Sequence, residues 1–590
     1  MAMMDVPLNA WLLFGHAARH FADTEVVTRR GPGDVHRYTY ADFARRAQQL
    51  MHALDRLGVA AGERVATLGW NSYRHLECYF AVPCTGRVLH TLNLRLPPAE
   101  LGWVIADADD RVIFVDADLL PLLQRVPEAD LRRVRHIVVF SDTAFSGTVF
   151  PGTGPGSGPA GLCGYEELIG GEPGTYPPKA VDERAPLGLS YTSGTTGRPK
   201  GVLYTHRSAV LHSFAVSSGA GMSIGPRDCV LPVVPMFHVN AWGMPHAAVA
   251  VGAKQVFLSG PLDPAALVEM CAREQVTVAA GVPTVWLAVA GELAGRPRPL
   301  PALRHIICGG SQPPRAMIER YRREFGIDVV QAWGMTETSP LASVAWPKHA
   351  MRDWDGERLT ARVRTQAGLP LPGVDVSIRA ADGREVPFDG VTMGDLCVRG
   401  PWVADGYWKD AGPEYSVPGR SPSGQSGAGD SGSGHSGSED SGSGGWFRTG
   451  DVAIGSPDGY FVIADRSKDL IKSGGEWISS VDMEAAIMAM PQVAEAAVVA
   501  MPHPRWQERP LAFIVLNAPV ADGTVAGGTV VKSTGPVTLD AVRAHLEALG
   551  WAKWQLPDRV EIIDRIPVTS VGKFDKKLLR ARLAESSDSG

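Results

Sequence analysis

Residues 189–208, LSYTSGTTGRPKGVLYTHRS, constrain the fold of this 590-residue chain more than any other stretch. Leu187, Leu189 and Tyr191 make an apolar lead-in with the character of a strand. The run then breaks into six residues that are only Thr, Ser or Gly: Thr192, Ser193, Gly194, Thr195, Thr196 and Gly197. Lys200 follows, and after it a second apolar run over 201–204. Small residues let several backbone N–H groups turn toward one anion. The four hydroxyls add donors, and Lys200 adds positive charge. The stretch therefore reads as a phosphate cradle between two strands. It is not a P-loop, because Arg198 follows Gly197 and Gly201 follows Lys200. A plain Gly/Thr turn is the alternative, and the rest of the chain decides between them.

A chain of this length exceeds one hydrophobic core, so two or more domains are expected. Alternating helical and strand patterns over residues 1–180 predict an α/β fold with a largely parallel sheet. Residues 40–57 carry apolar residues at helical spacing, while 64–69, 111–115 and 136–140 read as strands. The net charge of −6 offers no basic surface for nucleic acid. Seven cysteines, odd in number and never spaced C-x-x-C, predict reduced thiols and a cytoplasmic protein. No apolar run approaches the roughly 20 residues that span a bilayer. Trp11 to Phe14 reads as part of an amphipathic helix.

Downstream, several stretches carry chemistry. Residues 231–243, LPVVPMFHVNAWG, place His238 and Trp242 in an apolar setting. Taken alone, each is a core residue. Strands predicted over 276–282 and 303–308 lead to Gly309-Gly310-Ser311, where missing side chains let a flat ligand approach the backbone. Residues 331–338, QAWGMTET, combine Gln331, Trp333, Gly334, Thr336 and Glu337. Alternating residues over 373–406 predict a small antiparallel β unit. From 421 to 445, 18 of 25 residues are Ser or Gly, which predicts a disordered insertion spanning about 411–445. The GDSG at 429–432 lies in that repeat and is read as chance. WFRTGD at 446–451 ends in Asp451, and DRSKDLIKSGGEW at 465–477 precedes an amphipathic helix over 481–490. Strands over 496–501 and 511–516 and a helix over 539–549 make the remainder a small α+β unit. PVTSVGKF at 567–574 ends in a Gly-Lys turn at Lys573.

Together these stretches resemble, in order, the motifs of the adenylate-forming enzymes: acyl-CoA synthetases, luciferases and peptide-synthetase adenylation domains. FHVNAWG, IKSGGEWISS and AKWQLPD are most similar to bacterial medium- and long-chain fatty acid–CoA ligases. The resemblance covers nearly the whole chain except the insertion. It implies a large N-terminal domain, 1–465, of α/β subdomains plus a small β unit. A small, mobile α+β C-terminal domain, 466–590, would carry the lysine.

The resemblance also implies roles. Thr192, Ser193, Gly194, Thr195, Thr196, Gly197 and Lys200 would bind ATP phosphates. Gly310, Ser311, Gln331, Trp333 and Gly334 would bind ATP or AMP, with Gly310 and Ser311 near adenine and Trp333, standing where the family more often has Tyr, offering it a stacking face. Thr336 would bond phosphate, and Glu337, with Thr192, would hold Mg²⁺. Asp451 would accept from the ribose hydroxyls, and Arg466, Lys472 and Trp477 would contact nucleotide. His238, Trp242 and Gly309 would line the acyl pocket, Trp242 as its gate. Lys468 would be the hinge, while Ser473, Gly474 and Gly475 would face CoA. Lys573 would be the catalytic lysine, assisted by Glu337 and His238. The implied activity is acid–thiol ligation with ATP, Mg²⁺ and CoA on a medium- or long-chain fatty acid, in a homodimer. A ligase for an aryl or other acid is the nearest alternative. A non-catalytic nucleotide- or acyl-binding protein is a remote one, since Glu337, Asp451 and Lys573 are all present.

Overall fold

The computed structural model describes residues 3–142, 161–192, 198–409, 445–466, 469–473, 476–517, 537–568 and 574–587. The chain divides into two compact units. The first comprises Met1–Pro313, Met317–Val376 and Val398–Phe447; the second comprises Pro314–Ala316, Ser377–Cys397 and Arg448–Gly590. The expected insertion at about 411–445 lies outside the described residues, apart from Gly445.

Two sheets build the first unit. One runs Gly161–Gly164, His136–Phe140, Asp110–Asp116, Arg64–Leu68, Val88–Thr91, Pro186–Tyr191, Gly201–Thr205. Its strands are parallel until the last pair, which is an antiparallel hairpin. Fully buried runs such as RVATL suit a parallel sheet covered on both faces. The other sheet has nine strands, and its centre orders Asp328–Gly334, His305–Cys308, Val278–Gly281, Cys229–Pro232 and Lys254–Leu258 in parallel. Antiparallel pairs close both of its edges.

Helix formation follows local sequence. Tyr40–Arg56 starts at a capping box in which Thr39 and Asp42 bond each other's backbone N–H. Its apolar stripe, including Phe43, Ala47, Leu50 and Leu54, is buried. The predicted N-terminal helix is Ala10–His20, capped by Asn9.

The second unit contains a five-stranded sheet. Val493–His503 and Gln507–Leu516 form its long antiparallel pair, Arg559–Ile562 adds parallel to the latter, and the Ile471–Ser473/Glu476–Ile478 hairpin pairs through Ser473 and Gln507. Strand alternation feeds two cores. Ala496, Val498, Ala512 and Ile514 pack with Met483, Ile487, Val542 and Leu546 on one face. Ala497, Val499, Leu511 and Phe513 pack with Ile566 and Leu579 on the other. Four further strands, Asp375–Arg379, Met393–Arg399, Phe447–Gly455 and Phe461–Arg466, pair in that order and fall mainly in this unit.

Differences from the sequence expectation are local. The charged stretch before the expected 481–490 helix forms that hairpin, and the helix is Ser480–Met488. Lys472 and Trp477 become cross-strand partners. Arg559–Ile562 and Lys576–Ser587 are elements the patterning did not reveal. The last is a lysine- and arginine-rich helix in which Leu579 is fully buried.

Candidate active site

Parallel strands bring the first unit's motifs together. Pro232, Gly281, Cys308 and Gly334 end neighbouring strands, so the segments that follow leave from the same carboxyl edge. That edge is where open α/β sheets bind ligands.

The His238–Gly243 segment leaves this edge as a short left-handed turn. Val239, Asn240, Ala241 and Trp242 have φ of 43°, 54°, 48° and 58°, followed by Gly243 at 74°. Left-handed backbone costs a non-glycine residue roughly 1–2 kcal/mol, so packing must hold the turn. The ring of His212 supplies part of that packing: a Cβ at Gly243 would meet its Cε1 at 2.6 Å. His212 Nε2 accepts from the Leu341 N–H at 3.0 Å, and burial lowers its pKa to about 3. A neutral ring therefore ties the turn to the strand Leu341–Val344. The turn lays Trp242 over the neighbouring glycines. A Cβ on Gly309 would sit 3.2 Å from Trp242 Cη2 and 2.6 Å from the Ala332 carbonyl; one on Gly310 would sit 3.9 Å from Trp242 Cζ2. Trp242 is buried, His238 is half-buried, and Gly310 and Ser311 are exposed.

Gln331 is buried, and its Oε1 has no hydrogen-bond partner among the described residues. A buried acceptor left unpaired is costly, and suits a ligand donor. Trp333 is half-buried beside it, and Gly334 approaches the Pro340 carbonyl too closely for any side chain. Thr336–Thr338 is a buried 3₁₀ turn. Glu337 is 6% exposed; its Oε1 accepts from the Tyr407 hydroxyl at 2.8 Å, and no described cation pairs with it.

The stretch expected to cradle phosphate joins the two strands of the hairpin Pro186–Tyr191/Gly201–Thr205. Thr192 and Lys200 close its neck: Thr192 N–H donates to the Lys200 carbonyl at 2.9 Å, and Thr192 Oγ1 accepts from the Lys200 N–H at 3.0 Å. Ser193, Gly194, Thr195, Thr196 and Gly197 lie outside the described residues. Tyr204, two residues into the outgoing strand's buried face, donates to the Thr336 carbonyl at 2.8 Å. The ammonium of Lys200 lies 4.6 Å from the centroid of the Tyr407 ring. Cradle, Thr336 and Glu337 are thus physically connected within this unit.

In the second unit, Asp451 and Arg466 are cross-strand partners, and Arg466 Nε bonds Asp451 Oδ1 at 2.7 Å. Asp451 is buried and Arg466 is 41% exposed at the side chain. Lys472 Nζ lies 5.4 Å from the ring centroid of the exposed Trp477. Ser473 is buried, and its hydroxyl accepts from Arg509 at 3.0 Å, so that hydroxyl serves the fold. Lys468, Gly474, Gly475 and Lys573 lie outside the described residues.

Sequence reasoning missed Tyr204, His212 and Tyr407. Tyr204 sat in plain view beside the cradle, but its partner is 132 residues away. Tyr407 follows Asp405-Gly406, a turn signal in front of an aromatic pair. Nothing local marks His212.

Among the described residues no group of three or more His, Cys, Asp or Glu side chains could cage a metal, and no helix is long and apolar enough to cross a membrane. All seven cysteines are unpaired.

Comparison with known proteins places these features in context. The AMP-binding enzyme family model matches residues 14–408, and the AMP-binding enzyme C-terminal domain model matches 482–573. The chain is 45% identical over 579 residues to a long-chain-fatty-acid–CoA ligase of Thermus thermophilus, covering 98% of this chain and 96% of that one. It is 39% identical over 585 residues to a 3-methylmercaptopropionyl-CoA ligase of Ruegeria lacuscaerulensis, covering 98% of each. In fold it matches a crystal structure of an anthranilate CoA ligase in complex with anthranoyl-AMP, at 23% identity and a TM-score of 0.78, covering 99% of both chains.

Proposed function

The chain belongs to the AMP-binding enzyme family, and from that membership we propose that it is an AMP-forming fatty acid–CoA ligase acting on medium- or long-chain acids. The observation that carries the reading is two chemistries meeting at the carboxyl edge of the nine-stranded sheet, where Tyr204 of the other sheet bonds Thr336. An apolar wall of Trp242 on Gly309 adjoins a polar end made of Thr336, Glu337 and the neck of a phosphate cradle. An aliphatic acid with its carboxylate beside ATP needs that combination.

The reaction has two steps. An oxygen of the fatty carboxylate attacks the α-phosphorus of ATP; the bond to the bridging oxygen breaks, giving acyl-AMP and pyrophosphate. The CoA sulfur then attacks the acyl carbonyl carbon, loses its proton, and expels AMP. Two anions meet in the first step, so positive charge must stand where negative charge accumulates. Lys200 and Lys573 supply it. Mg²⁺ prefers one or two carboxylates plus phosphate oxygens to an all-protein cage. Glu337, buried and without a cation partner among the described residues, fits that role, with Thr192 at the cradle neck. There the ion would neutralise phosphate charge. Gln331 Oε1 is free to accept from the adenine amino group. Asp451 would accept from the ribose hydroxyls in place of its pairing with Arg466.

For the second step the domain 466–590 would turn about Lys468, exchanging Lys573 for the Ser473–Gly475 segment that faces CoA, a hinge-type alternation. Fixing φ at the hinge should stop that turn. Lys468→Pro is expected to keep ATP- and acid-dependent pyrophosphate formation and to lose acyl-CoA formation. Unimpaired overall turnover in this variant would remove the hinge from 468. The unpaired cysteines support a cytoplasmic location, and family resemblance supports a homodimer.

The test is pyrophosphate release with ATP, Mg²⁺ and saturated acids of graded length, with and without CoA, alongside 3-methylmercaptopropionate and aryl acids. Each buried methylene adds about 0.8 kcal/mol, roughly fourfold in affinity. Selectivity is expected to climb by that factor per carbon to a maximum at medium or long chains. A maximum at the short thioether acid, favoured by the Ruegeria relative, or at an aryl acid would replace the fatty acid in this reading. No release with any acid would make the protein a non-catalytic binder.

A further inference from the structure

Residues 404–408 connect Gly201, directly after the cradle's neck, to Glu337, and no motif read from the sequence accounts for them. Ala404 N–H donates to the Glu337 carbonyl at 2.7 Å, and the Tyr407 hydroxyl donates to Glu337 Oε1 at 2.8 Å. Trp408 N–H donates to the Gly201 carbonyl at 2.7 Å, directly after Lys200. Lys200 in turn stands over the Tyr407 ring. A Cβ on Gly201 would meet Trp408 Cβ at 2.9 Å, so the two backbones are in contact. The segment is pinned from outside as well. Trp408 Nε1 donates to the Asp107 carbonyl at 3.3 Å, and Lys409 pairs with the Asp107 carboxylate at 2.5 Å.

We propose that Tyr407 is a positioning residue for adenylation: its hydroxyl orients the Glu337 carboxylate for the divalent cation that accompanies ATP, and its ring seats the ammonium of Lys200. The proposal rests on the reading of Glu337 as the cation's ligand. A carboxylate torsion is broad and soft. A fixed phenol donor on one oxygen narrows it, leaving the other oxygen to the ion at little ordering cost. The ring face attracts the exposed lysine by a cation–π interaction, which biases that charge toward the cradle. One side chain therefore sets the spacing between two positive charges that meet the same phosphates.

Tyr407→Phe keeps the ring and removes only the donor. Loss of such an outer partner typically weakens a metal site by about 10–100-fold. The variant is expected to need at least tenfold more Mg²⁺ for half-maximal pyrophosphate release. Most of the rate should return at saturating Mg²⁺, with unchanged KM for the fatty acid and unchanged thiolysis of supplied acyl-AMP. A direct measurement accompanies it: Mn²⁺ binding in the presence of ATP, followed by electron paramagnetic resonance, should weaken by the same factor and be abolished in Glu337→Gln. Tyr407→Leu, lacking the ring too, should additionally raise the KM for ATP. Wild-type Mg²⁺ and Mn²⁺ dependence in Tyr407→Phe would overturn the proposal. So would a loss spread equally over both half-reactions. If the wild type binds Mn²⁺ with ATP yet activates no fatty acid, the substrate reading fails while the Mn²⁺ comparison still decides Tyr407.

Discussion

Lys573→Ala is expected to slow acyl-AMP formation by about 10²–10³, equivalent to ~3–4 kcal/mol for one preorganised charge aimed at the transition state. Thiolysis of supplied acyl-AMP should be close to wild type, because the second step expels AMP without a further attack on phosphorus. The asymmetry separates Lys573 from Lys576, three residues on. Lys576 is 10% exposed at the side chain, bonds Glu484 at 2.7 Å and the Ser480 hydroxyl at 2.5 Å, and holds the C-terminal helix to Ser480–Met488. Its charge is spent on the fold; that of Lys573 is assigned to chemistry. Single-turnover assays of the two half-reactions, with the thermal midpoint as control, check this. Equal loss in both half-reactions would remove Lys573 from the adenylation step.

The second large effect is expected at Gly334. A methyl group there would stand 1.9 Å from the Pro340 carbonyl oxygen, 2.8 Å from its carbon and 3.2 Å from Leu341 Cα. All three are backbone, and Leu341 is itself held by His212. Nothing flexible can yield, so the turn must open. Gly334→Ala is expected to cost about 3 kcal/mol, at the upper end of overpacking penalties, and to carry Thr336 and Glu337 out of place. Thermal unfolding and pyrophosphate release should fall together. Gly291→Ala, where a Cβ meets nothing within 4 Å, is the matched control and should retain both. A stable, fully active Gly334→Ala protein would contradict the close approach.

What was legible in the sequence were features whose cause lies within a few residues. The cradle's Thr/Ser/Gly run, the strand alternation of 496–501 and 511–516 and the stripe of Tyr40–Arg56 carry their reason in neighbouring side chains. Their order along the chain was enough to identify the family and, through it, the reaction. The 471–478 hairpin was harder, because two three-residue strands carry too little alternation to outweigh their charges.

Only the tertiary structure decided which motifs touch. Lys254–Leu258 lies on the far side of Cys229–Pro232, so Val278–Gly281 pairs with Cys229–Pro232, and parallel register makes their exits neighbours of those of His305–Cys308 and Asp328–Gly334. The left-handed turn at 239–242 exists because His212 and two glycines accept it, against the preference of Val239, Ala241 and Trp242. Tyr407 reaches Glu337 across 70 residues, and Tyr204 reaches Thr336 across 132. Short-range pattern encodes hydrogen bonds and burial one element at a time. The sequence by itself therefore determined the elements, the family and the chemistry; the pairing of strands far apart in the chain decided the geometry in which that chemistry is held.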